Sequence, residues 1–404
     1  MAATTRVKSI APWKSHGLGL SAVYFMLYGI GGSWSPLLNV YLQQMGLTGA
    51  QIGTIAGIRP LIGVLTRPVW GMTADMVGRR KMVLVLLPIE AALLLGYVWG
   101  GGGGFGFFLA LAAVYTLVSS PVMSLIDSLA LDHIDRHADL NFGRMRLWGS
   151  AGYALSALAV GQLLRNWNLQ PVFLFAAGGL AACTVLAWFA LPRASGKQPA
   201  KRDWSGIRSI LRNRNLVAFM IITLLLQLGT SPMMQFYGIY MKDLGASTKL
   251  VGLGTFLRAL AEIPVMIWAA TVVRRVSPRR ALLLAMAFYA AQAFLYSVNT
   301  NTLVGSLGEI LRGPSFGLQL VVSVSFVSSQ VPAEWRATGQ TVYSAFTGGL
   351  GGIMAGAWGG VLYDWVGVQA MYRVCGLVIV GLAVAAMIVL RDSPPPAAKA
   401  AEGG

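Results

Sequence analysis

The chain has 404 residues, of which 56% are hydrophobic and 11% charged, with 49 glycines and a formal charge of +17. Soluble domains carry about 25% charged residues, so this chain has too little polar surface for water and needs lipid as the solvent for much of its length. The positive balance does not point to nucleic acid. Lys and Arg sit in short segments between apolar runs, with no basic domain and no aromatic residues interleaved with basic ones for base stacking.

Met1 to Ser15 is short, polar and basic, without the apolar centre and cleavage site of a secretory signal. From there, apolar runs predict spanning helices at 18–42, 51–73, 82–100, 105–131, 147–165, 171–191, 215–241, 249–273, 281–298, 302–330, 338–362 and 369–390. Each run far exceeds the roughly ten residues of a barrel strand. The connectors alternate in charge. The termini with 74–81, 132–146, 192–214, 274–280 and 331–337 hold 23 of the 31 Lys and Arg, and the opposite connectors hold only Arg165, Lys242 and Lys249. The positive-inside rule then puts both termini in the cytoplasm of a multi-pass protein of the plasma (bacterial inner) membrane.

Pro192 to Asn215 is the longest hydrophilic stretch. It divides the chain into an N-terminal six-helix bundle (1–191), a basic cytoplasmic linker (192–214) and a C-terminal six-helix bundle with a short tail (215–404). Two bundles joined in this way place a solute site between them, near the midplane. Cys183 and Cys375 lie in apolar runs and read as small core residues.

Gly71-Met-Thr-Ala-Asp75-Met-Val-Gly78-Arg79-Arg80-Lys81 resembles the loop between helices 2 and 3 of the major facilitator superfamily, although Met76 and Val77 replace the usual basic and aromatic residues. Gln51-Ile-Gly, Arg146-Leu-Trp-Gly-Ser-Ala-Gly152, Ala261-Glu-Ile-Pro264 and Arg336-Ala-Thr-Gly-Gln340 resemble its lactose-permease-like branch, which includes phenylpropionate-permease and nucleoside-symporter types. The resemblance implies an all-α membrane protein with twelve transmembrane helices in two six-helix bundles. In that fold helices 1, 4, 7 and 10 line the central cavity, and 2, 5, 8 and 11 flank it.

A charge at the bilayer centre costs roughly 3 kcal/mol or more, so it faces protein or water and finds a partner. Arg59, Arg258, Glu262, Glu309 and Arg312 are the deep charges. Arg258 and Glu262 are four apart, Glu309 and Arg312 three apart, so each pair shares a helix face. With both acids ionised they would neutralise Arg258 and Arg312; protonating one frees an arginine for an acidic or strongly polar solute. The resemblance implies the same proton-coupling role for Glu262 and Glu309. The alternative is a set of static buried pairs that fix helix register. Proline follows closely in Arg59-Pro60, Glu262-Ile-Pro264 and Arg312-Gly-Pro314, which leaves the carbonyls of Ala56, Leu260 and Ile310 without their helical donor.

Besides the three arginines, Tyr24, Tyr28, Asn39, Gln227, Gln235, Tyr237 and Gln319 are candidates for solute contact, or for interhelical hydrogen bonds. The resemblance implies a cytoplasmic gate of Gly71, Asp75, Gly78, Arg79 and Arg80 with an acid at the end of helix 4, Asp127 or Asp132; Arg144 and Arg146 are alternative partners. Charge pairs of this kind suit a switch because they form in one state and break in the other.

His133 and His137 read as part of a solvated connector and not as a zinc site, and no cofactor motif, nucleophile elbow or ATP-binding loop occurs. Seven glycines from Gly348 to Gly360 crowd span 11, where they allow close approach and sliding of helices. The expected protein is a gradient-driven transporter and not an enzyme. It works as a monomer, takes protons and a small solute (a sugar, nucleoside or organic acid) as partners, and has lipid around it. An exporter on the same fold, or a receptor that has lost transport, are the rival readings.

Overall fold

The computed structural model describes residues 15–134, 142–164, 167–192, 213–275, 277–332 and 335–390. The termini, Arg165, residues 135–141 with His137, and the linker apart from 192, 213 and 214 lie outside the described residues.

All regular structure among the described residues is helical: α1 Ser15–Trp34, α2 Leu38–Gln44, α3 Gly49–Val77, α4 Arg79–Trp99, α5 Phe105–Ser119, α6 Val122–Ile134, α7 Phe142–Leu163 and α8 Gln170–Ala190. After the linker come α9 Arg214–Gln235, α10 Tyr237–Asp243, α11 Thr248–Arg275, α12 Pro278–Val298, α13 Thr302–Leu307 and α14 Glu309–Gln330. Last are α15 Arg336–Ser344, a π-helical turn Ala345–Leu350, and α16 Gly351–Val389. Four pairs continue one another across short breaks: α1 and α2 at Pro36, α5 and α6 at Pro121, α9 and α10 past Pro232, and α13 and α14 at Gly308. Gly367, at φ 73°, divides α16. With α15 also running through the π-helical turn into α16, the described elements, joined and divided in this way, make twelve helical stretches.

Local chemistry starts these helices where they start. Thr48 and Gln51 form a reciprocal capping box on α3. Asn213 caps α9, Ser277 caps α12 ahead of a proline, and Asn301 caps α13. Gly78 takes φ 100° between α3 and α4, a turn that disfavours any side chain.

Among the described residues seven helical segments are long and apolar enough to cross a membrane by themselves, the last of them, Thr338–Val389, containing both parts of α16. Arg59, Arg67 and Asp75 on α3, Arg144 and Arg146 on α7, and Lys249, Arg258 and Glu262 on α11 lower the apolarity of three others. Of these charges Arg59, Arg146, Arg258 and Glu262 are half-buried between helices, while Arg67, Asp75, Arg144 and Lys249 are exposed.

Within the first half, α1 packs on α7 and α8, and α4 on α8; within the second, α16 packs on α9 and α12, and α14 on α11 and α12. The halves meet where α3 crosses α16 and α7 crosses α11. At the first crossing, glycines four apart face each other: Gly49, Gly53 and Gly57 against Gly356 and Gly360. A methyl group added at Gly356 would lie 2.6 Å from the Gly57 nitrogen, so the backbones touch. At the second crossing, Thr248 Oγ1 donates to the Gly161 carbonyl at 3.1 Å.

Polar clasps flank both crossings at this end of the molecule. The Asp364 carboxylate accepts from the backbone N–H groups of Gly49 and Ala50, both at 2.7 Å. Asn39 Nδ2 donates to the Gln235 carbonyl (2.7 Å), Gln43 Nε2 to the Tyr363 hydroxyl (2.9 Å) and Trp167 Nε1 to the Ala246 carbonyl (3.2 Å). This is the sealed end. Towards the other end, Val64 meets Gly349 of the π-helical turn. Beyond it Leu65, Val69, Met72 and Met76 of α3 are exposed.

Candidate functional site

A cavity of about 560 Å³ lies between the halves, next to the seal. From the first half α3 contributes Arg59, Pro60 and Arg67, α2 contributes Asn39, and α7 contributes Tyr153. From the second half come Gln235, Tyr237, Arg258, Glu309 and Arg312. Among the described residues the lining holds four guanidinium groups, of Arg59, Arg67, Arg258 and Arg312, and one carboxylate, of Glu309. Arg59 lies 5.9 Å from the Trp34 ring centroid. Arg258 lies 5.7 Å from the Tyr153 ring centroid and donates to its hydroxyl at 3.4 Å, bridging the two halves. Glu309 is 1% exposed; its Oε1 accepts from Gln292 Nε2 at 2.8 Å and from the Tyr296 hydroxyl at 3.3 Å. Arg312, three residues on, is 6% exposed and reaches the cavity. Gln235 presents a buried Oε1 with no hydrogen-bond partner.

Same-helix pairing is not what this arrangement uses. No ion pair within 4.0 Å joins Arg258 to Glu262 or Glu309 to Arg312. The reason is competition. Glu309 turns to an amide and a phenol on the preceding stretch, while Arg258 turns to Tyr153 across the interface. Glu262 does not line the cavity, though Arg258 and Arg312 lie within electrostatic reach of it. Of the three carbonyls released by proline, only that of Ala56 belongs to a residue lining the cavity; Leu260 and Ile310 have exposed side chains.

Among the polar candidates, Asn39, Gln235 and Tyr237 reach the cavity. Gln227 and Gln319 line a separate groove of about 190 Å³ beside the π-helical turn, with Ser323 and Tyr343. Tyr24 and Tyr28 are placed elsewhere. Tyr24 donates to Asp127 at 2.7 Å, and the Arg146 guanidinium lies 4.3 Å from the Tyr28 ring centroid and 5.9 Å from that of Tyr24.

That cluster also separates Asp127 and Arg146 from the expected gate. Arg79 pairs instead with Asp132 (3.1 Å) and Asp75 (3.6 Å) and donates to Ser128 Oγ at 2.7 Å. Asp132 sits near the end of α6, level with the Gly78 turn, whereas Asp127 is more than a turn further in and faces α1. Arg80 leaves the gate too: it donates to the Trp188 carbonyl and lies over that ring. Gly78 serves the turn, and Gly71 borders open space.

Sequence reasoning missed Tyr153, Trp34, Gln292 and Asp364. Gln292 carried a signal, a polar amide in the middle of an apolar run. Tyr153 follows the Arg146–Gly152 motif directly, but nothing in that motif points across to Arg258.

Such a chamber suits recognition. Guanidinium forks match carboxylates and vicinal hydroxyls, and an unpaired amide oxygen accepts a further donor. The chain matches the MFS_1 like family over residues 18–374. It is 30% identical to a maltose permease of Geobacillus stearothermophilus over 91% of this chain and 93% of that one. It is 24% identical to a probable 3-phenylpropionic acid transporter of Escherichia coli (strain K12), over 85% and 89%. In structure it is similar to the nucleoside transporter NupG, with a TM-score of 0.83 at 18% identity, covering 94% of this chain and 100% of that one.

Proposed function

Because the chain belongs to the MFS_1 like family, a branch of the major facilitator superfamily, we propose that it is a twelve-span secondary transporter that takes up a small organic solute with a proton by alternating access. The observation that carries this reading is the cavity, lined from both halves by Arg59, Arg258 and Arg312 around Glu309, the one carboxylate among the described lining residues. Its positive balance suits a solute with a carboxylate or several clustered hydroxyls. The names of the maltose, phenylpropionic acid and nucleoside relatives fall in that range.

With the charge-rich connectors in the cytoplasm, the sealed end faces outward, and this conformation is the one open to the cell interior. The two halves act as the rocking units. Glu309 carries the coupling proton. While it is ionised, its charge offsets the nearby guanidinium groups; once it is protonated, an arginine is free to take the solute. Glu262 adjusts that balance from outside the lining. Arg79, Asp75 and Asp132 form the latch of the cytoplasmic gate.

The test is solute-induced proton movement. Proteoliposomes without an imposed gradient receive sugars, nucleosides and aromatic acids in turn. The external medium is expected to turn alkaline with one class only. Radiolabel exchange with no pH change for any compound would leave transport standing and remove the proton.

A further inference from the structure

A second recess, of about 450 Å³, lies where α10 ends and α16 resumes after Gly367, lined by Tyr240, Asp243, Gln369 and Arg373 among others. The recess holds one acid and one base, yet neither makes an ion pair within 4.0 Å, with each other or with any other described residue. Both line the same recess. Tyr240, one turn before Asp243, packs edge-on against Tyr372, the neighbour of Arg373, at 5.1 Å between ring centroids. Both side chains are exposed, Asp243 at the end of α10 and Arg373 on α16, and both border the recess. The recess is therefore short of a cation at one side and of an anion at the other.

What adjoins it selects the occupant. On α16 the face carrying Arg373 continues as an apolar stripe, Leu377, Val380, Val384 and Ile388, which are 59%, 43%, 46% and 78% exposed. These residues stand four, seven, eleven and fifteen positions after Arg373, so they share its helix face. A soluble zwitterion would fill the recess and leave the stripe unused. A membrane amphiphile with both charges in its head fits both. We propose that this recess binds a zwitterionic phospholipid with a primary ammonium, its phosphate on Arg373, its ammonium on Asp243 and an acyl chain along the stripe. Arginine presents a planar fork to phosphate, and a primary ammonium donates hydrogen bonds to a carboxylate. This assignment rests on membrane embedding and is independent of the transported solute.

The experiment is lipid competition on the full-length protein in detergent, read by native mass spectrometry. The probes are phosphatidylethanolamine and phosphatidylglycerol of identical chains; both carry phosphate, and only the first carries an ammonium. The native protein is expected to retain phosphatidylethanolamine roughly tenfold better, the scale of one charged hydrogen bond. Asp243→Asn is expected to erase that preference by raising phosphatidylglycerol binding, and Arg373→Gln to weaken both lipids together. Opposite responses of this kind do not follow from misfolding. Equal retention of the two lipids, or a preference that survives both variants, overturns the proposal. So does displacement by soluble phosphoethanolamine at the same concentration as lipid, because the stripe would then contribute nothing.

Discussion

Glu309→Gln is expected to end accumulation of solute above its external concentration while leaving downhill exchange within roughly tenfold of native. The glutamine keeps the size of the side chain and one carbonyl oxygen, so Gln292 and Tyr296 keep an acceptor and their packing. What goes is the ability to change charge. A neutral side chain here leaves Arg258 and Arg312 without the one carboxylate among the described lining residues, so the proposed dependence of solute binding on a proton is lost. The tenfold allowance is the scale of altering a single buried hydrogen bond. The measurement is uptake into proteoliposomes with an imposed pH gradient, paired with counterflow without one. Concentrative, pH-independent uptake by the variant would remove Glu309 from coupling.

Asp364→Ala is expected to open the sealed end. The carboxylate joins the end of one half to the first turn of α3 in the other, with two hydrogen bonds of 2.7 Å to N–H groups that the helix itself cannot satisfy. Hydrogen bonds to a charged group stabilise by about 1.5–3 kcal/mol net of water, and the positive end of the helix dipole adds several tenths. A loss of about 2 kcal/mol shifts the balance between sealed and unsealed forms by about thirtyfold. A reporter cysteine replacing Ser35, which lines the cavity just inside the seal, should then react with a membrane-impermeant maleimide about thirtyfold faster from outside. Asp364→Asn, which keeps one acceptor, should fall between. An unchanged labelling rate would show that the glycine contact holds the seal without the clasp.

The helices were legible because an apolar run of about twenty residues has few other fates in lipid. Their breaks were less so. Pro36 and Pro121 lie at gaps, while Pro60, Pro68, Pro88, Pro232, Pro264 and Pro314 stay inside helices, so proline alone does not mark an end in a membrane. The deep arginines were legible as cavity residues because burial against lipid is too costly for them. Their partners were not. Helical spacing identifies neighbours on one helix and is silent about the next, which is how Arg258 came to be matched with Glu262 and not with Tyr153. Asp127 and Asp132 shared one role on paper, and only depth along α6 separates them.

The crossing of α3 and α16 has a consequence for how this chain tolerates change. Most cores are damaged by removing atoms. Here the damage comes from adding them, because Gly53, Gly57, Gly356 and Gly360 contribute empty space where backbones touch. A complete substitution map should show two strips of period four on which alanine is already harmful and larger residues more so, with no partner substitution able to compensate. Around the cavity the order should reverse, with shortening of Arg258 or Arg312 harmful and enlargement of their small neighbours often silent. In the proposed alternating-access cycle, with the sealed end outward, only the half-cycle that closes this end would suffer from the first kind of change. A variant in those strips would therefore still bind from outside yet fail to deliver inward.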